Sequence, residues 1–327
     1  MRIAVTGSIA TDHLMTFPGR FTEQLVADRL DTVALSFLVD DLTVRDGGVA
    51  ANIAYGLGRL GIGALLVGAA GADFDGPARR LRAVGVDTSA VVISATRHTA
   101  RFVCTTDLDQ NQIATFYAGA MVEAEAIDLA EVARRHGPFD LVLVGADDPA
   151  AMVRHTRACR SGSIPFAADP SQQLARLGRA ETRELVTGAR FLFTNAYEAA
   201  LLRERTGWTE AEVLERVGVW VTTRGGDGVG IARRGTPRLS VPAVPVAEVV
   251  DPTGGGDAFR AGFLAGLAHH LPLDRAARLG CAVAARALGS AGTQEYTLDP
   301  ASLPLPTGWG TLPTPAGGSP AATAGTS

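Results

Sequence analysis

Lysine is absent from this chain; every one of its 30 basic side chains is an arginine. The absence excludes a Walker-type phosphate loop, a protein-kinase strand lysine and a pyridoxal-phosphate Schiff base, each of which needs an amine. Any phosphoryl chemistry here must rely on backbone amides, arginine and metal. Cysteine is scarce as well. Cys104, Cys159 and Cys281 are isolated, odd in number and without metal-ligand spacing, which fits a reducing, cytoplasmic setting. The six histidines show no HExxH pattern, so no zinc site is expected. No run of about 18 apolar residues occurs, and Arg2 leads straight into the strand-like Ile3-Ala-Val5, so neither a membrane span nor a leader peptide is expected. A net charge of −4, with arginines scattered among acids, leaves no basic stripe for nucleic acid.

What is present is a rhythm. Short apolar runs end in polar, Gly- or Asp-rich turns and then give way to helix-like sequence: Ile3–Gly7 before Ser8 and Asp12, Leu141–Val144 before Asp147, Pro165–Ala168 before Asp169, Phe191–Phe193 before Asn195, and Val219–Val221 before Thr223. Alternating strand and helix with continuously apolar strands predicts an α/β fold, a doubly wound, mostly parallel sheet with helices on both faces. The polar turns then gather beyond the carboxyl ends of the strands, where such sheets bind ligands. Val33–Val44, and Thr99–Thr106 with Gln112–Tyr117 around the polar turn Asp107–Asn111, read as longer strands outside this rhythm. They predict a small β-sheet lid drawn from about 10–17, 33–45 and 98–118. One domain is expected over 1–303, and 304–327, with five prolines, five glycines and no charge, reads as a flexible tail.

Asp251-Pro-Thr-Gly-Gly-Gly-Asp257, followed by the apolar run Ala258–Ala265, is the most informative segment. Gly254, Gly255 and Gly256 let a ligand approach bare amides at a helix start, an anion site. A carboxylate at its mouth, Asp257, suits a base that takes a proton from a hydroxyl while the amides hold a phosphoryl group. Asp46-Gly-Gly-Val-Ala-Ala-Asn52 is a second glycine turn before a helix, with Gly48 and Asn52 on one face. Read alone it is a tight turn; beside the glycine triplet it reads as part of a ligand site. Asn195 and Glu198 stack on one helix face, where the glutamate is placed to hold Mg²⁺ near phosphates and equally to form a capping box. The loop Thr222–Gly230 reads either as a phosphate wrap or as a plain hairpin turn. Phe102 and Phe116 fall on the two arms of the lid hairpin, as core residues or as a sandwich for a flat base. Gly56-Leu-Gly-Arg-Leu-Gly61 matches a dinucleotide fingerprint by letter but closes a helix and precedes a strand, so Gly61 reads as a helix cap.

On these clusters the chain resembles the ribokinase-like (PfkB) carbohydrate kinases over residues 1 to about 303. Gly47-Gly48 with Asn52, Asn195-x-x-Glu198 and Asp251-x-Thr-Gly-x-Gly-Asp257 match three ordered family motifs. Gly7–Met15, Leu35–Asp41, Thr99–Phe102, Asp169–Arg176 and Gly292–Glu295 are similar to the actinobacterial adenosine kinases within that family. The resemblance implies ATP-dependent phosphorylation of the adenosine 5′-hydroxyl, with Asp257 as base and Gly254–Gly256 as anion hole. It implies Ser8, Asp12, Gly48 and Asn52 at the ribose hydroxyls, Ser36 also among the substrate-binding residues, Phe102 and Phe116 stacked on the base, and Gln172 and Gln173 at its edge. Asn195, Thr223, Gly225 and Gly228 would meet ATP and Glu198 would organise Mg²⁺, with K⁺ a further candidate cofactor. A homodimer through the lid is implied, Phe37 reaching into the neighbouring site. A ribose or ketohexose kinase of the same fold is the nearer alternative, and a non-catalytic nucleoside-binding protein the more distant one. In place of the family's usual alanine, position 255 carries glycine.

Overall fold

Along the first strand, successive side chains belong to different cores: Ile3 and Val5 lie in one buried cluster and Ala4 in the other. The same parting holds at Leu141 and Leu143 against Val142 and Val144, and at Phe191 and Phe193 against Leu192. This is why these strands are apolar throughout, for both faces of the sheet are covered.

The computed structural model describes residues 1–25 and 36–306, with 309 and 312. Its strands run, in chain order, β1 Ile3–Thr6, β2 Ala10–Thr16, β3 Asp41–Gly47, β4 Ala64–Ala70, β5 Asp87–Ile93, β6 Ala100–Thr106 and β7 Gln112–Tyr117. They continue as β8 Leu141–Val144, β9 Phe166–Ala168, β10 Phe191–Asn195, β11 Val219–Thr223, β12 Val229–Ala232 and β13 Leu239–Val241. Nine form one sheet in the order β13-β12-β11-β10-β9-β8-β1-β4-β5, parallel except where β12 and β13 turn back at one edge. The helices Val49–Arg59, Gly255–Ala268 and Leu273–Leu288 cover one face, and Pro149–Ser161, Arg179–Val186 and Ala196–Thr206 the other. From β1 the chain builds to both sides, β4 on one and β8 on the other, which makes the end of β1 the switch point of the sheet.

The other four strands make a separate sheet, β3-β2-β6-β7, the lid. Its hairpin is the expected one, with the Asp107 N–H donating to the Asn111 carbonyl. Its β3 differs from the sequence reading: the strand spans Asp41–Gly47, starting later than Val33 and running on to the glycine pair. Residues 36–40 precede it without strand pairing, and 33–35 lie outside the described residues. Of the apolar letters there, Phe37 serves packing rather than a ladder, resting on Phe17 and Phe21, while Leu38 is exposed. In the stretch expected to be flexible, Leu305, Trp309 and Leu312 pack on the core, and Trp309 stacks on His269 at 3.7 Å. Among the described residues no helix is long and apolar enough to cross a membrane.

One buried histidine contributes a loss of stability at acid pH. His155, 1 % exposed in the helix Pro149–Ser161, has its imidazole pushed down to about 4 by burial, with Arg154 adding to it. Between pH 6.5 and 4 the unfolded chain takes up a proton that the folded chain refuses, so stability is lost as pH falls through that window. The full effect is about 3 kcal/mol. In His155→Leu, urea unfolding from pH 7 to 4 should lose this proton-linked slope; an unchanged slope would assign the acid sensitivity elsewhere.

Candidate active site

The helix Gly255–Ala268 begins under the lid, and its first turn is the centre of the site. Gly254 caps it in the left-handed region at φ 76°, where a Cβ would come within 2.6 Å of Thr293 Cγ2. Glycine is required there both by the backbone and by the neighbour. The Ala258 N–H closes the first turn onto the Gly254 carbonyl at 2.9 Å. The amides of Gly254–Gly256 come before it, among the donors that a helix start cannot satisfy internally. At Gly255 a Cβ would meet Leu288 Cδ2 at 2.9 Å, so this leucine occupies the room that an alanine methyl would need.

Two cavities meet at this helix start. One, of about 500 Å³, is lined by Asp257 and Asn52 with Ser8, Asp12 and Gly48. Phe102, Phe116, Gln172 and Gln173 line the rest of it. The other, of about 320 Å³, is lined by Gly255 and Gly256, by Thr223, Gly225 and Gly228 of the β11–β12 turn, and by Phe259 and Leu288. Asp257 thus faces one cavity while the glycines before it line the other.

Each lining residue has a local cause. Ser8 follows β1 and its Oγ accepts the Val49 N–H at 3.0 Å, capping the next helix. Gly48, at φ 96°, lies so close to the β1–β2 link that a Cβ would sit 2.6 Å from the Ser8 carbonyl oxygen and the Ala10 nitrogen. Asp12 stands in register with Arg45 on β3 and Phe102 on β6, and Phe102 is paired with Phe116 on β7, so the four share one face of the lid. Gln173 is buried in the short turn of helix Ser171–Ala175, and its Oε1 has no protein partner. Ser36 is exposed and outside the lining of both cavities. Asn195 is also outside them: its side chain caps the helix Ala196–Thr206 by accepting the Glu198 N–H at 2.8 Å, and Glu198 Oε2 accepts the Asn195 N–H at 2.7 Å. The capping box is formed in full.

The electrostatics of Asp257 involve residues that the sequence reading did not assign. Asn52 Nδ2 donates to Asp257 Oδ2 at 2.8 Å, while Asn52 Oδ1 accepts from Gln294 Nε2 at 2.9 Å and lies 2.8 Å from Thr293 Oγ1. One turn along the helix, Arg260 is buried and its Nη2 donates to Asp169 Oδ1 at 2.6 Å, at the end of β9. Burial pushes the Asp257 carboxyl above the usual carboxylate range, with Glu198 adding to it, while Arg260 and Asn52 pull it back. The one legible signal of Arg260 was an arginine inside an otherwise apolar helix, which demands a buried partner. Asp12 is pushed up to about 6 by burial and by Asp251 and Asp257, against the pull of Arg45.

For a metal, no cluster of three or more His, Cys, Asp or Glu side chains occurs among the described residues. Glu198 is the candidate whose second oxygen, Oε1, is engaged only by Ser171 Oγ at 3.5 Å. One carboxylate supplemented by phosphate oxygens and water is a donor set that fits Mg²⁺.

A cavity holding the Asp12 and Asp257 carboxylates, set against a second cavity lined by glycines of the same helix start, defines a phosphotransferase site on a ribokinase-like fold. The chain belongs to the pfkB family of carbohydrate kinases, which matches residues 7–300. Among solved structures it is similar to the nucleoside kinase of Burkholderia thailandensis in complex with inosine, at 36% identity and a TM-score of 0.80, covering 92% of this chain and 95% of that one. The same protein in its ADP-inosine complex matches at 37% identity and a TM-score of 0.78, covering 92% and 93%. The nucleoside kinase of Methanothermobacter thermautotrophicus is 32% identical over 76% of this chain and 80% of its own length. Ribokinase of Bacillus subtilis is 27% identical over 89% and 94%.

Proposed function

We propose that the chain transfers the γ-phosphoryl group of ATP to the 5′-hydroxyl of adenosine, giving AMP and ADP. The observation that carries this reading is the composition of the acceptor cavity. Asp12, Asn52 and Asp257, suited to a ribose, share the cavity with a cross-strand phenylalanine pair and a buried glutamine amide with a free acceptor. A simple sugar has no use for the phenylalanines and the glutamine, whereas a flat base stacks on the rings and pairs with the amide.

In this reading Ser8, Asp12 and the Gly48 backbone hold the ribose, and Asn52 orients Asp257. A ribose hydroxyl is far less acidic than a carboxylic acid, so its proton passes to Asp257 late, as the bond from O5′ to the γ-phosphorus forms. The bond to the bridging oxygen breaks at the same time and ADP leaves. The amides of Gly254–Gly256 stabilise the charge on the transferring group, and most of the rate comes from that and from positioning. The β11–β12 turn, through Thr223, Gly225 and Gly228, borders ATP. Mg²⁺, held by Glu198 through water or directly, would neutralise charge on the phosphate chain, with K⁺ as a further activator.

Inosine is the second acceptor to consider, because the Burkholderia relative is solved with it. A glutamine amide offers one donor and one acceptor face and pairs with either base edge by turning over. The lid is also the proposed dimer surface: Leu42, Val44 and Ile113 are exposed on its face away from Asp12. Phe37 packs on its own chain's Phe17 and Phe21, and lends no support to entry into a neighbour's site.

The test is ATP consumption with adenosine, inosine, guanosine, ribose and fructose as acceptors, with and without K⁺. The reading expects kcat/KM for adenosine above that for either sugar by a factor of about 100 or more, the worth of stacking plus one base hydrogen bond. Preference for ribose or fructose would overturn it in favour of a sugar kinase, and no turnover of any acceptor in favour of a binding protein.

A further inference from the structure

Asp12 and Asp257 line the acceptor cavity, and an arginine from the lid pairs with a third carboxylate, Asp251, whose charge bears on Asp12. Arg45 on β3 is the register partner of Asp12 on β2, on the same face of the lid. Its Nη1 donates to Asp251 Oδ2 at 3.1 Å, across from the lid to the segment that leads into the glycine loop. Asp251 is otherwise held by backbone donors, the Thr253 N–H onto Oδ1 at 2.9 Å and the Gly292 N–H onto Oδ2 at 3.1 Å. Gly292 at φ 90° leaves room for the arginine, for a Cβ there would come within 2.9 Å of Arg45 Cδ. The guanidinium and carboxylate side chains are 22 % and 16 % exposed, so the pair is screened from bulk water much more than a surface pair.

We propose that Arg45 is a positioning residue that keeps Asp12 able to accept the acceptor's hydroxyls while tying the lid to the loop that carries Gly254–Asp257. The inference rests on the reading of this cavity as the acceptor site. Facing Asp12 are Arg45 from β3, Asp251 from the loop and Asp257 from the helix beyond it. Phe102, its neighbour on β6, is uncharged, and Arg176 lines the same cavity. Two negative neighbours and burial favour a protonated Asp12, which would lose half of its capacity to accept hydroxyl hydrogens; Arg45 opposes both. The same guanidinium fixes β3 to Asp251, so the lid face carrying Asp12 and Phe102 is held at a set distance from the base.

The experiment measures kcat and acceptor KM against pH for the parent, Arg45→Met, Arg45→Lys and the double variant Arg45→Met with Asp251→Asn. The acceptor is whichever compound the parent phosphorylates, so a parent that turns over a sugar and no nucleoside sinks the nucleoside reading while leaving this test intact. In Arg45→Met the acidic limb of kcat/KM for the acceptor should move to higher pH by about one unit, so that KM rises about tenfold at pH 5 but only about twofold at pH 7, and recovers at pH 8.5. The ATP KM should stay within about twofold, because the donor cavity has no contact with Arg45. Arg45→Lys should return the limb most of the way, and the double variant should return it by removing a negative neighbour along with the positive one. A limb unmoved in Arg45→Met would overturn the proposal. So would equal losses in Arg45→Met and Arg45→Lys at every pH, which would mark a purely structural contact.

Discussion

Asp257→Asn should lower turnover by about a thousandfold or more, the range that a positioned general base contributes. Acceptor affinity should change little, because Asp12, Phe102, Phe116 and Gln173 line the rest of the cavity independently of it. The local geometry should also persist. Asn52 Nδ2 donates to Asp257 Oδ2 at 2.8 Å, and an asparagine at 257 can present its own carbonyl oxygen to that donor. Since burial already disfavours the charged carboxylate, the neutral amide should not lower the unfolding free energy. Steady-state turnover, calorimetric titration with the acceptor and a urea melt separate these effects. A variant with kcat within about tenfold of the parent would remove Asp257 from the role of base.

Arg260→Met should destabilise the fold by about 3–5 kcal/mol at pH 8, because it leaves Asp169 as an uncompensated buried carboxylate. The Arg260 side chain is 6 % exposed and that of Asp169 fully covered, so water cannot take over the lost contact. The penalty should shrink toward pH 5. Burial pushes the Asp169 carboxyl up against the pull of Arg260, and at low enough pH, without the arginine, the carboxyl takes a proton and the charge disappears. Stability of the variant is therefore present at low pH and lost as pH rises through the raised value. Adding Asp169→Asn should recover most of the loss. Urea midpoints at pH 5 and pH 8 for the three proteins check this, and a single variant within about 1 kcal/mol of the parent at pH 8 would show the pair to be dispensable.

Much of the fold was legible because it rests on local patterns. Continuous apolar runs such as Leu141–Val144 can only be strands covered on both faces, and they are. Gly61 after a helix, the Asn195–Glu198 capping box and the Asp107–Asn111 turn depend on residues three or four apart, whose chemistry is the same wherever they sit. The strand expected from Val33 failed for a related reason. Its apolar residues at 37–39 satisfied a local pattern, whereas pairing with β2 begins only at Asp41. Alternation marks a side chain that needs burial but does not say whether a ladder or an aromatic cluster provides it.

The sequence by itself determined the chemical kit: no amine for phosphate, a glycine loop opening a helix with one carboxylate in its first turn, and a phenylalanine on each arm of a hairpin. Only the tertiary structure decided how the charges of that kit are balanced. Arg45 meets Asp251 from 206 positions away, Arg260 meets Asp169 from 91, and Asn52 meets Asp257 from 205. No periodicity links such partners. A buried charge must be compensated somewhere, and which residue does so is fixed by the crossing of lid, loop and helix in space.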